Sequence, residues 1–402
     1  MKILNVNTRY IGGGGAASIA NLLHHAINES SEMSSTFLYG RGRSEDSNSI
    51  KIANEYESYI SAASTRFLGK EINKGLSKKI KKEIDKCDIL HLHNLHGYYI
   101  NYEQLIDYIV EKDKKVIWTL HDTWCFTGRC AFTFGCERWK YGCGRCTNKN
   151  IYPSTKRDIS DKLWIEKNRI FNRLNRDKTI FVTPSVWLKD LVKESFLKEY
   201  RVEVINNGVE KSNVTDIDKS IIRNELSLPN DKNIVLFVAA DPNDNRKGMK
   251  YIIEALDKVD QSTVFVSMGK KINIEHDKLI QLGYKSSREE IYKVYRASDL
   301  FVIPSIDDNF PTTVLEAFAN GIPVVGFNVG GIKEQVIDNI NGFIINEKNS
   351  IELSKKIDCA INMFKSEEHI QSNILKIFND KYSLIKFKDS YKNIYNEIFV
   401  QK

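Results

Sequence analysis

The sequence predicts an α/β fold of two doubly wound, Rossmann-like domains. Three observations lead there. The chain has 402 residues, more than one ordinary domain uses. Short apolar runs alternate with stretches of helical period, the pattern of parallel sheets covered by helices on both faces. That pattern stops near Gly208–Thr215 and then begins again.

In the first block, Ile3–Val6 reads as a buried strand, followed by glycines 12–15 and a helix over Ala16–Asn28. Ile19, Leu22, Leu23 and Ile27 give that helix one apolar face. Further strands are expected at Thr36–Tyr39, Ile89–His93, Val116–Leu120, Ile180–Thr183 and Val202–Ile205, with helices at Tyr102–Val110 and Val186–Phe196. A connecting helix at Ile217–Leu226 leads into the second block. There the expected strands are Ile234–Ala239, Val264–Met268, Leu300–Pro304 and Pro323–Phe327, and the helices Lys250–Val259, Arg288–Ala297, Val314–Ala319 and Ile351–Met363. The predicted domains are 1–208, with a cysteine loop at 125–146, and 209–380, with residues 381–402 beyond them. Ligands of such sheets lie at the carboxyl ends of strands. The expected site is a central cleft between the two sheets.

The net charge of +7 calls for an anionic partner: a nucleotide, a phosphorylated acceptor or an anionic surface. Asn5, Asn7 and Arg9 break the first apolar run, and no stretch of 18 apolar residues occurs. A cytoplasmic protein is therefore expected, with its 7 cysteines as thiols or metal ligands. Leu68, Ile72, Leu76, Ile80 and Ile84 recur every fourth residue among lysines. This spacing predicts a basic amphipathic helix over 67–87. It either packs on its domain or contacts an anionic membrane at the inner face of the plasma membrane. Aromatics are not interleaved with its lysines, so nucleic acid is not the expected partner.

Several loops carry candidate chemistry. Ser305–Phe318 follows a strand and opens a helix. The N–H groups of Thr312, Thr313 and Val314 point out of the helix start and suit a diphosphate. Asp308 stands before that turn, and Glu316 lies one turn inside, where a carboxylate accepts from vicinal ribose hydroxyls. The plainer alternative is a capped helix with two solvated acids. Upstream, Arg246-Lys247-Gly248 begins another helix with cations, which the helix dipole disfavours unless an anion is bound. Gly13, Gly14 and Gly15 form a turn able to receive a phosphate or an acceptor. The second strand ends at Tyr39-Gly40-Arg41 without an acid, which argues against an NAD site. His121, in Thr119-Leu120-His121-Asp122, sits at a strand end. His91, His93 and His96 read as structural or cleft-lining. Cys130, Cys136, Cys143 and Cys146 fall in one loop and are either a tetrahedral zinc site or four reduced thiols.

Ser305–Phe318 resembles the E-x7-E motif of family-4 retaining glycosyltransferases with the GT-B fold. Asp308 takes the first acidic place and Glu316 the second. Gly321-Ile322-Pro323-Val324-Val325 and Gly330-Gly331-Ile332-Lys333-Glu334 resemble the family's G-x-P-V-V and G-G-x-x-E. Asp308 departs from the usual Glu by one methylene, and Pro311 replaces a frequent glycine. The resemblance implies that Arg246 and Lys247 bind the donor diphosphate and that Gly283 and Tyr284 line the nucleobase. It also implies that His121 hydrogen-bonds the donor sugar, and that Asn309 and Phe310 belong to the donor loop. His121-Asp122-x-Trp124 with the cysteines resembles a subgroup of capsule and exopolysaccharide transferases of the colanic-acid type. The implied reaction is retaining transfer from a UDP- or GDP-linked sugar to a saccharide, lipid-linked or protein acceptor. It needs no catalytic cofactor, and a final helix crosses back to the first domain. Two alternatives stay open: a nucleotide-sugar epimerase or other nucleotide-binding enzyme on a similar fold, and an inactive, transferase-like binding protein.

Overall fold

The computed structural model describes residues 1–400 apart from Gly13, Ala240, Pro242, Glu367 and Glu368, and the side chains of Ala239 and Ser366. The chain divides into two compact units, Met1–Ile205 with Lys388–Lys402, and Asn206–Phe387.

The first unit is a seven-stranded parallel sheet. Its strands are β1 (Lys2–Arg9), β2 (Ser34–Arg41), β3 (Ser49–Lys51), β4 (Ile89–Leu92), β5 (Lys115–Thr119), β6 (Thr179–Thr183) and β7 (Arg201–Val204), in the order β3-β2-β1-β4-β5-β6-β7. Its helices are α1 (Gly15–Asn28), α2 (Glu55–Leu68), α3 (Lys78–Lys86), α4 (Tyr102–Glu111), α5 (Ser160–Phe171) and α6 (Val186–Lys193). β4 and β6 are buried along their whole length, as expected of strands covered on both faces.

The second unit is a six-stranded parallel sheet. In chain order it runs α7 (Lys219–Glu225), β8 (Asn233–Ala239), α8 (Met249–Ala255), β9 (Thr263–Gly269), β10 (Leu279–Gln281), α9 (Arg288–Ala297) and β11 (Leu300–Ile303). It continues through α10 (Thr312–Ala319), β12 (Val324–Phe327), α11 (Ile332–Gln335), β13 (Gly342–Ile345), α12 (Ser350–Ser366) and α13 (Ile370–Lys381); the last helix, α14 (Leu384–Val400), belongs to the first unit from Lys388 onward. Sheet order is β10-β9-β8-β11-β12-β13. Both units are thus Rossmann-like and doubly wound, the architecture of GT-B proteins. Strands with strong β-branched runs match expectation within a residue or two. The short strands β3, β10 and β13, and helices α2, α5, α11 and α13, were not anticipated, because their apolar periods are weak or brief.

The helix expected over 67–87 is not formed. Gly69, at φ +86°, ends α2, and α3 begins only at Lys78, where the Ser77 hydroxyl accepts the Ile80 N–H. Only Ile80 and Ile84 of the expected stripe are buried, while Leu68 and Ile72 are exposed. Among the described residues no helix is long and apolar enough to cross a membrane.

Candidate active site

Two neighbouring strands build the main site. β8 and β11 pair in parallel, so the loops leaving their carboxyl ends open side by side. The Ile306 N–H donates to the Arg246 carbonyl at 2.8 Å and joins the two loops. Gly248 permits this approach: at φ +70° an added Cβ would lie 1.8 Å from the Pro304 carbonyl oxygen.

Asp308 is buried where the loops meet. Its Oδ2 accepts from Lys247 Nζ at 2.6 Å, lies 3.2 Å from Arg246 Nη1 and accepts the Ser305 hydroxyl at 3.3 Å. Burial pushes this carboxyl up, but the charges of Lys247 and Arg246 outweigh it and hold the group below the ordinary carboxylate range. The Arg246 guanidinium also donates to the Asp307 carbonyl and the Asp244 carboxylate. The cations sit in a single 3-10 turn, Asn245–Lys247, in which the Asp244 side chain accepts the Arg246 N–H. That cap eases the conflict between a basic start and the helix dipole.

The loop carrying Asp308 is braced from several sides. Gly331 N–H donates to the Asn309 carbonyl at 2.7 Å. The Asn207 and Gln335 side-chain amides donate to the Phe310 and Pro311 carbonyls at 3.0 and 3.1 Å. Gly330, at φ +51°, packs so closely that an added Cβ would stand 1.6 Å from the Asp308 carbonyl oxygen. Asn309 and Phe310 are buried, and the Phe310 ring lies 6.0 Å from that of Tyr382. α10 then starts after Pro311, and no side chain caps it. Thr312 and Thr313 stand half-buried at its opening. Glu316, about 6 Å further along the helix axis, accepts from the Tyr295 hydroxyl at 3.0 Å; burial raises its carboxyl. Gly283, at φ +72°, lies beyond β10 with its carbonyl accepting the Gly269 N–H at 2.9 Å. Tyr284 is 79% exposed, so it is not a packed core residue.

In the first unit, Gly14 is at φ +76° and precedes α1 without a side-chain cap. Cβ atoms added at Gly14 and Gly15 would meet nothing within 4 Å, so backbone shape and not crowding accounts for Gly14. Gly13 lies outside the described residues. His121 is half-buried after β5, with its Nε2 3.0 Å from His93 Nδ1. His93 Nε2 lies 3.1 Å from the Asn5 side-chain oxygen. That oxygen can only accept, so His93 donates through Nε2, and neutral His93 accepts through Nδ1. His121 therefore donates through Nε2, and its Nδ1 is the acceptor atom in the neutral ring. Burial lowers the His121 pKa to about 4. His91 stacks on His93 at 4.2 Å, so three histidines form a row from the sheet to His121.

Cys130, Cys136, Cys143 and Cys146 line one small cavity with Trp139. The Gly128 N–H donates to Cys143 Sγ at 3.2 Å, and Arg129 Nη2 lies 3.6 Å from Cys146 Sγ. Among the described residues no three His, Cys, Asp or Glu side chains form a ready metal-binding group.

The sequence analysis read His93 as structural or cleft-lining and missed Asn207 and Gln335 as parts of these sites. His91 in β4 and His93, one residue beyond its end, are two apart, the period of one strand face. Asn207 and Gln335 act on backbone carbonyls of a distant loop and leave no pattern.

The fold is that of a GT-B glycosyltransferase, and residues 218–376 match the family of glycosyl transferases group 1. The chain is 26% identical, over 88% of its length and 89% of the relative's, to WcaC of Escherichia coli K12, a glycosyl transferase assigned to colanic acid biosynthesis. It is 27% identical, over 52% of its length and 58% of the relative's, to the Escherichia coli UDP-Gal:alpha-D-GlcNAc-diphosphoundecaprenol alpha-1,3-galactosyltransferase. Anabaena HepE in complex with UDP-glucose shares the fold with a TM-score of 0.65 at 16% identity, over 99% of this chain and all of HepE.

Proposed function

We propose that this glycosyltransferase moves a sugar from a nucleoside-diphosphate sugar to an acceptor hydroxyl, with retention of configuration, in bacterial cell-surface polysaccharide synthesis. The observation that carries the reading is the convergence of Arg246, Lys247 and Asp308 beside the uncapped start of α10. Two cations and a helix N-terminus suit a diphosphate, and flanking carboxylates suit sugar hydroxyls. The UDP-linked donor and lipid diphosphate acceptor named for the galactosyltransferase relative, and the UDP-glucose bound by HepE, support this class of donor and acceptor.

In the proposed reaction the bond from the anomeric carbon to the diphosphate breaks, and a bond from that carbon to the acceptor oxygen forms on the same face. The acceptor proton passes to the departing diphosphate. Arg246, Lys247 and the N–H groups of Thr312 and Thr313 stabilise the charge that develops there, so the protein's own cations do the work and no metal is required for transfer. Within the second unit, Glu316 holds the ribose, Asp308 the transferred sugar, and Gly283 with Tyr284 the base. Losing one such charged donor typically costs about 3 kcal/mol in the transition state. Lys247→Ala and Glu316→Ala are each expected to lower kcat/KM roughly 100-fold with unchanged circular dichroism. Full transfer by either folded variant refutes the assignment.

For the cysteine loop we propose a structural zinc. Support comes from the four thiols sharing one cavity and from N–H groups directed at two of the sulfurs.

A further inference from the structure

The second helix is built inside out. α2 buries Ser58, Ser61, Ser64 and Thr65. It exposes Tyr56 (79%), Tyr59 (63%), Ile60 (63%) and Phe67 (58%). At about 100° per residue these four, with exposed Ala63, fall within an arc of about 100°. Leu68 and Ile72, 53% and 59% exposed, extend the patch beyond the helix end.

The inversion has a local cause. After α2 the chain doubles back: the Ile72 N–H donates to the Ser61 hydroxyl at 3.1 Å, and the Ser64 hydroxyl donates to the Lys70 carbonyl at 2.7 Å. The serines thus satisfy an irregular segment's backbone, and the apolar face is turned outward. A helix that served only to cover its domain would bury the tyrosines and isoleucine.

Cations border the patch. Lys156 Nζ lies 4.8 Å from the centroid of the Phe67 ring. Lys70 and Lys74 are 53% and 79% exposed in their side chains, each with one carboxylate partner. The chain then runs into exposed Lys78, Lys79 and Lys82, which make no ion pair with a carboxylate among the described residues. Between positions 55 and 86 there are 8 Lys and Arg against 5 Asp and Glu. Tyrosines with aliphatic neighbours and a lysine border match the interfacial zone of a bilayer bearing negative headgroups.

We propose that the outward face of α2, with Leu68 and Ile72, docks this protein on an anionic lipid bilayer. The contact moves from the single 67–87 helix expected from sequence to α2 and its flanking lysines. It is independent of the donor-site reading.

The test is co-sedimentation of the full chain with vesicles of phosphatidylglycerol and phosphatidylethanolamine, and with phosphatidylcholine alone. The expected result is at least tenfold stronger partition onto the anionic vesicles, weakened by added salt. An Ile60→Ser/Phe67→Ser double variant is expected to lose at least tenfold of it at an unchanged melting temperature. If that variant fails to fold, Tyr56→Ser/Tyr59→Ser tests the same arc. The proposal is overturned if the wild type stays in the supernatant or a folded variant sediments like the wild type. It is also overturned if light scattering finds a dimer that the variant converts to monomer, since a second copy would then cover the face.

Discussion

At His121 the protein holds an imidazole neutral chiefly through burial, which outweighs the nearby Asp122 carboxylate. Its pKa of about 4 lies below the unfolded value of about 6.5. Between those values the unfolded chain binds more protons than the folded one, so stability rises with pH. The contribution is complete above about pH 6.5 and is lost as pH falls toward 4. Buried His91, lowered to about 3, acts in the same direction. The melting temperature is therefore expected to drop on acidification through this window, and His121→Asn to make the drop shallower. A variant whose pH profile superimposes on the wild type would contradict the His121 contribution. Gly330 makes a second residue-scale case. Its positive φ and its closeness to the Asp308 carbonyl forbid a side chain. Gly330→Ala is expected to cost roughly 2 kcal/mol or more, read as a fall in the denaturant midpoint, and to weaken donor binding by displacing Asp308. An alanine variant as stable and as active as the wild type would show that the loop relaxes freely.

The element scale holds the largest surprises. Arg246, Lys247 and Asp308 were legible in the sequence because each follows a strand with a strong β signature, and adjacent parallel strands deliver their loops to one place. The stretch 67–87 was misread because a four-residue apolar period cannot reveal that Gly69 stops a helix and that a serine face has already been chosen for burial. α2 itself escaped notice, since its apolar residues point to solvent and its buried ones are polar. The cysteine loop makes its own prediction: protein purified without chelator is expected to carry about one zinc per chain. Cys143→Ser is expected to lose the ion and several degrees of melting temperature. Metal-free protein of equal stability would leave four thiols as the correct description.

For the whole molecule, alternation of strand and helix made both Rossmann-like units readable, because fully buried parallel strands must be continuous apolar runs. The basic balance, +7 overall, suggested an anionic partner but could not say which surface would receive it. The braces from Asn207, Gly330 and Gln335 stayed hidden, since each joins residues far apart in sequence through backbone atoms that every amino acid shares.

Asp308 begins the proposed cycle clasped by Lys247 and Arg246. An incoming diphosphate has to take those cations away from it. A donor that still bears its sugar compensates the carboxylate with hydroxyl protons, whereas the spent nucleotide has none to give. The same side chain that welcomes the loaded substrate then competes with the unloaded one, so product departure is built into the resting arrangement of charges.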